Sequence, residues 1–134
     1  MDPSFWCNSS FLWLTYVGSR LIVSVVELRP PSYFALAALI DGPLHGYAIA
    51  QRARALSEGQ VRVSTGTLYA LLERALTESL VVAGEPYVVD GRHRRDYRLT
   101  PAGRAVLAAE AARLGHAATA VTGRLRATAN GLTA

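Results

Sequence analysis

The chain has 134 residues, a length that fits one domain and is short for two. Apolar residues make up 51%, which excludes a disordered chain, although 22 of them are alanine and the bulky core is smaller than that figure implies. All 14 basic residues are arginine and 10 are acidic, giving a net charge of +4. That usage fits a GC-rich bacterial genome. It permits a nucleic-acid partner without requiring one, and arginine suits bidentate contact with phosphate or guanine.

The single cysteine, Cys7, excludes an internal disulfide framework and a cysteine-based zinc site. His45, His93 and His116 lie far apart without ligand spacing, so neither a metal nor a cofactor is expected. No GxSxG elbow, P-loop or GxGxxG occurs, and nothing in the sequence asks for an enzyme. Charge is unevenly spread: residues 1–27 carry a net −1, and residues 28–134 carry 13 arginines against 8 acids.

Residues 11–26 are apolar and aromatic but number only 16 and include Arg20, against the roughly 20 apolar residues of a membrane span. A basic leader region and a small-residue cleavage site are missing, so neither a membrane anchor nor a signal peptide is expected. Two readings stay open for residues 1–27. One is an extra helix or strand packed on the domain or on a partner subunit. The other is upstream sequence from a start codon read too early, with initiation near Val25, Val26 or Leu28.

The patterned sequence begins at Leu28. A helix is predicted over residues 32–40, capped by Ser32 and stopped by Asp41-Gly42-Pro43. A second is predicted over 45–56, then an extended link at 61–63. Ser64 caps the best helix in the chain, to about Glu78, with Leu68, Leu71, Leu72, Ala75 and Leu76 in one buried stripe. Its opposite face carries Gly66, Ala70, Glu73 and Thr77, flanked by Thr67, Tyr69 and Arg74. These small and hydroxyl-bearing positions suit close approach to a groove floor.

Strands are predicted at 81–85 and 94–99, joined through the hairpin signal Asp90-Gly91. Pro86 is tolerated there only at an edge or in the loop. The expected tip, Arg92-His93-Arg94-Arg95, gathers three fixed positive charges without a compensating acid, which favours phosphate contact. Thr100 and Pro101 open a last helix to about Ala127. Leu107, Ala111, Leu114, Ala118, Val121 and Leu125 recur along it at heptad spacing and predict a partner helix. Gly115 and Gly123 each weaken it by about 1 kcal/mol relative to alanine.

Three helices and a basic hairpin make a mainly α winged helix-turn-helix with a small two-stranded β wing. Asp41-Gly42-Pro43, His45-Gly46-Tyr47, Ser64-Thr65-Gly66-Thr67-Leu68-Tyr69, Asp90-Gly91 and Tyr97-Arg98-Leu99-Thr100 stand in that frame. In this combination, covering about residues 30–127, the chain resembles the PadR-like transcriptional regulators. The resemblance implies a cytoplasmic, dimeric repressor binding a palindromic operator in double-stranded DNA, with the C-terminal helix making the dimer. It implies a recognition helix contributing Ser64, Thr65, Gly66, Thr67, Tyr69, Ala70 and Arg74, and a wing contributing Arg92, His93, Arg94 and Arg95. Family members sense phenolic or flat aromatic compounds, so a small aromatic effector is a further expectation, carried by no residue here.

The expected organisation is an N-terminal extension (1–27), a winged-helix DNA-binding domain (28–100), a C-terminal dimerisation helix (101–127) and a tail (128–134). Two positions depart from the family pattern. Ser79 replaces a helix-ending glycine and must take a positive φ or reshape the turn, at a cost on the order of 1 kcal/mol. Ala75 replaces a larger apolar residue. His45 and Gly46 are accounted for by a loop and helix start, and Tyr69 and Tyr97 by half-buried packing. The competing function is a winged helix used as a protein-interaction module, which a gel-shift assay on the upstream DNA separates from the first.

Overall fold

Pro30 and Pro31 occupy the first two positions of helix α1 (Pro30–Ala37). Their fixed φ suits a helix start and their missing N–H groups fall where no intrahelical acceptor exists. The helix therefore begins two residues before the expected Ser32 cap, with no side-chain cap on Arg29. This computed structural model describes residues 28–131, and the expectations for residues 1–27 and 132–134 lie outside the described residues. After α1 the chain tightens through i→i+3 bonds, Leu39 N–H to Leu36 O and Ile40 N–H to Ala37 O, ahead of Asp41-Gly42-Pro43.

A two-residue strand β1 (Leu44–His45) leads into α2 (Gly46–Leu56). The link at 60–64 joins it to α3 (Thr65–Thr77), which Ser64 caps as expected. Strands β2 (Val81–Ala83), β3 (Tyr87–Val89), β4 (Arg92–Arg94) and β5 (Asp96–Leu99) follow, then helix α4 (Pro101–Gly131). The fold is mainly helical with a small antiparallel wing and a long C-terminal helix.

The sheet is richer than the expected hairpin. β5 pairs with both β1 and β2 in a three-stranded antiparallel sheet, and β3 and β4 form a separate outer ribbon. The strand expected at 94–99 is thus broken at Arg95. Around the turn, Asp90 (φ 50) and Gly91 (φ 73) both take positive φ, the requirement of a type I′ hairpin. Pro86 falls in the stretch between β2 and β3, where no ladder bond is asked of it.

Leu36, Leu39, Ile49, Leu72 and Val81 are the largest fully buried side chains, so α1, α2, α3 and β2 enclose one core. Tyr97 and Leu99 complete it from β5, and Val106 and Leu107 from the start of α4. Burial holds the Tyr97 phenol above its ordinary pKa, since the ionised form is the one that loses hydration. Leu107 therefore packs on its own domain. The part of the heptad stripe left uncovered begins at Ala111.

Backbone and side chains pack closely where α4 leaves the sheet. Ser79 adopts φ 58, the left-handed turn its position demands. Thr100 caps α4: its Oγ1 accepts from Gly103 N–H (2.9 Å), and its hydroxyl proton reaches the Ser79 carbonyl (2.7 Å) or the Leu80 carbonyl (3.0 Å). A Cβ on Gly103 would lie 2.0 Å from the Leu80 carbonyl oxygen and 2.8 Å from a Leu99 methyl. Only glycine fits there.

Helix α4 runs to Gly131, beyond the boundary expected near Ala127, so residues 128–131 are helix rather than tail. The Thr128 hydroxyl bonds back to the Arg124 and Leu125 carbonyls, and no helix-breaking residue intervenes before Gly131. Near its start, buried Glu110 is held by Arg113 (Oε2 to Nε 3.0 Å), which keeps the carboxyl below its usual range despite burial. Every residue from Ala111 to Gly131 is exposed.

Gly103→Ala should destabilise the fold by at least about 2 kcal/mol in urea titration, because the clash is with backbone. Gly123→Ala, on the same helix with nothing within 4 Å, should instead be neutral or stabilising by up to about 1 kcal/mol. Equal effects of the two variants would contradict the close approach of α4 to the sheet.

Candidate nucleic-acid interface

An exposed helix end with small, hydroxyl-bearing side chains can approach a duplex groove closely and offer hydrogen bonds to phosphates or base edges. The N-terminal end of α3 has that form. Ser64 Oγ accepts from Thr67 N–H (3.2 Å) and donates to Thr67 Oγ1 (2.9 Å), closing the first turn. Ser64, Thr65, Gly66 and Thr67 are all exposed, as are Tyr69 and Ala70 further along the same side. The fold does not ask for glycine at Gly66, since nothing lies within 4 Å of where its Cβ would stand. Gly66 stands in the first turn of the helix, where no packing contact accounts for a missing side chain.

The preceding helix is arranged to support that end. His45 stands at the N-cap of α2, its Nδ1 3.3 Å from Ala48 N. Tyr69 lies across the α2 start, its hydroxyl 3.4 Å from the position of a Cβ on Gly46. Gly46 thus lets the two helices approach, and Tyr69 is half packed and half exposed. The expected half-buried packing holds for Tyr69, whereas Tyr97 is fully in the core.

Arg74 does not join the N-terminal group. It stands in the last turn of α3, ion-paired with Glu78 (3.0 Å), roughly 15 Å along the helix axis from Ser64. Spacing puts it on the same face, and helix length carries it toward the C-terminal end. Beside it, a cavity of about 220 Å³ opens between α1 and α3, floored by Leu28, Leu36, Leu71 and Ala75. The small side chain of Ala75 leaves part of this room.

The expected cluster of three arginines at the wing tip is divided. The tip itself is Asp90-Gly91, and Arg92–Arg94 form β4. Arg94 Nη1 lies 2.8 Å from His45 Nε2, and Arg95 Nε donates to the Gly84 carbonyl (2.9 Å). The side chains of Arg92 and His93 are exposed and make no hydrogen bond or ion pair among the described residues. Opposite them, the Tyr87 hydroxyl donates to Asp96 Oδ1 (2.7 Å). That bond, followed by partial desolvation and the nearby carboxylate charge, holds the phenol above its ordinary pKa. Residue spacing does not reveal these partners. Asp96, directly after Arg95, was the available hint of an acid at the wing's base.

The exposed apolar side chains of α4 lie away from this surface. Leu114, Val121 and Leu125 are 41%, 59% and 62% exposed, with Ala111 before them and Ala118 among them on the heptad stripe. Among the described residues no group of three His, Cys, Asp or Glu side chains is gathered to hold a metal ion, and no helix is long and apolar enough to cross a membrane.

Comparison with known proteins gives this geometry a family. The family model described as the transcriptional regulator PadR-like family matches residues 35–109. The transcriptional regulator Rv3488 of Mycobacterium tuberculosis is 51% identical over 67 residues, 50% of this chain and 59% of that protein's length. A PadR family transcription regulator from Clostridium difficile R20291 superimposes with a TM-score of 0.60 at 19% identity, covering 72% of this chain and 99% of that one. Bacillus subtilis PadR, solved in complex with operator DNA, gives a TM-score of 0.52 at 22% identity over 59% of this chain and 46% of its own. At these identities the two structures speak to the fold. The matched family and the mycobacterial relative are regulators of transcription, not enzymes.

Proposed function

The chain belongs to the transcriptional regulator PadR-like family, and we propose that it acts as a dimeric repressor on a palindromic DNA operator. The observation that carries this reading is the N-terminal end of α3. It is exposed, uncharged and hydroxyl-bearing, and it contains a glycine that fills no packing need. A groove floor explains what the fold does not. Thr65 and Thr67 offer hydroxyls to base edges or phosphates, Gly66 gives clearance, and Ser64, Tyr69 and Ala70 border the contact. Operator DNA bound to Bacillus subtilis PadR supports the same use of a shared fold.

On the wing, Arg92 and His93 supply the phosphate contacts, since Arg94 and Arg95 are already bonded within the free chain. Residues 28–100 form the DNA-binding unit and α4 the dimer element. One winged helix covers a single half-site, so two copies about a two-fold axis read a palindrome with half-site centres roughly 34–36 Å apart. The stripe Ala111, Leu114, Ala118, Val121 and Leu125 supplies that axis, with Leu107 spent on the core. A small aromatic effector fits the reading through the cavity beside Ala75. Its volume is about 220 Å³, and Arg29, Ser32, Arg74 and Glu78 line it beside the apolar floor.

Thr67→Ala should lower discrimination between operator and random DNA, whereas Arg92→Ala should weaken binding to both and flatten the log K against log salt slope by about 0.9. Retained discrimination in the first variant and an unchanged slope in the second would remove the proposed interface.

Leu114→Asp inserts an unpaired charge into the apolar seam, so this variant should sediment as a folded monomer and lose palindrome affinity while keeping weak half-site binding. An intact dimer with normal operator affinity would remove α4 as the dimer element.

Titration with a phenolic compound should shift the NMR signals of Leu71 and Ala75 before those of α4. Unmoved signals at both residues would remove the effector cavity.

A further inference from the structure

The hairpin that carries the wing is interrupted where it leaves the body. Ala83 pairs with Tyr97 and Tyr87 with Arg94, so four steps along one strand oppose three along the other. One extra residue is therefore inserted at the joint, the definition of a bulge, which bends the pair and breaks the ladder locally. Pro86 lies within the insertion and has no N–H to give. Backbone bonding alone leaves the direction of the outer ribbon weakly fixed.

Three side-chain bonds cross this joint. Tyr87, on β3, donates to Asp96 at the start of β5 (2.7 Å). Arg94, at the inner end of β4, lies against His45 on β1 (2.8 Å), 49 residues away in sequence. Arg95, in the break itself, donates to the Gly84 carbonyl (2.9 Å), while Gly84 N–H donates to the Asp96 carbonyl (2.8 Å). His45 and Asp96 are direct partners in the β1–β5 register, so the Arg94–His45 and Tyr87–Asp96 bonds meet at one rung of the sheet.

The histidine is the unusual member. A neutral imidazole has one lone pair, yet donors face both ring nitrogens: Ala48 N–H at 3.3 Å and the Arg94 guanidinium at 2.8 Å. The shorter, charge-assisted contact is the stronger claim on that lone pair. A residue used only as a helix cap has no need of the second contact.

We propose that His45, Tyr87 and Asp96 form a latch that fixes the angle of the wing to the helix-turn-helix body, and so act as positioning residues for the wing's phosphate contacts. The proposal rests on the DNA-binding reading above, and it separates two kinds of wing residue. Arg92 and His93 touch DNA; Arg94 is held by the latch and aims them.

Two variants test it together. Tyr87→Phe removes one hydroxyl from an exposed ring, and His45→Asn keeps a cap oxygen for α2 while falling short of Arg94. In the free double variant, amide hydrogen exchange in β3 and β4 should rise by about tenfold, the effect of two lost hydrogen bonds, with core amides such as Leu72 unchanged. Operator affinity should fall several-fold with the salt slope unaltered, because no phosphate contact is removed. Asp96→Asn should bring the Tyr87 phenol back toward its ordinary pKa in NMR titration. Arg92→Ala should show the reverse pattern, a flatter slope with unchanged exchange. Unchanged ribbon exchange in the double variant would overturn the latch, and so would a slope that falls with it. Absence of DNA binding by the wild type overturns the underlying reading instead, and is told apart because exchange is measured on the free protein.

Discussion

The rest of the structure hangs on one packed junction, where the Leu80 carbonyl, the Thr100 hydroxyl and the bare Cα of Gly103 meet. Leu80 follows the end of α3 and precedes β2; Thr100 follows β5 and caps α4. Four elements are thus tied within a few ångströms, and a methyl group at Gly103 would have to displace backbone. Ser79 contributes by accepting positive φ, turning the chain from α3 directly into the sheet. The orientation of α3 relative to the sheet, and of α4 relative to both, follows from this contact. Hydrophobic burial supplies most of the stabilisation, but it is non-directional, and angles come from close backbone approach and caps.

From that fixed body the two parts of the interface are held differently. The N-terminal end of α3 is rigid, since Leu68 and Leu72 are buried beneath it and Ser64 closes its first turn. The ribbon of β3 and β4 extends past a bulge and a proline, and its Tyr87, Val88 and Val89 are all exposed. It buries too little to be oriented by packing. Polar side chains therefore set its direction, and this explains why two of the three clustered arginines are bonded inward. A wing needs both charge that reaches outward and charge that anchors.

Much of this was legible in the sequence. Leu68, Leu71, Leu72, Ala75 and Leu76 give one helical stripe, and the bounds of α3 follow from that with the Ser64 cap. Asp90-Gly91 marks the hairpin and Thr100-Pro101 the start of α4, because each has a local steric or capping cause. Other features have no local cause. β1 is two residues long and has no periodicity to detect, and the break at Arg95 depends on β5 pairing with two partners. The Arg94 contact joins residues 49 apart, so spacing shows the charge and hides its partner. Leu107 fits the heptad as well as Leu114 does, and only the tertiary fold assigns the first to the core. Gly103 carried a usable signal: a glycine in the first turn of a strong helix calls for a packing reason.

The exposed run of α4 brings local and tertiary causes together. Residues 111–131 extend past the domain with no covering surface among the described residues, and they include Gly115 and Gly123. Most of a helix's stability in a protein comes from packing of its apolar face, which this segment lacks, and each internal glycine weakens it by about 1 kcal/mol. Arg113, Arg124 and Arg126 keep such a segment soluble but do not shield Leu114, Val121 and Leu125. Under the proposed dimer, one contact meets both deficits, since a second α4 covers the apolar stripe and supplies the packing that propensity lacks. The small steps at Ala111 and Ala118 then have a purpose, because they let two helix backbones approach closely. Folding of this segment and pairing of the two DNA-reading units become a single event, so the affinity for a palindrome depends on protein concentration as well as on the interface itself.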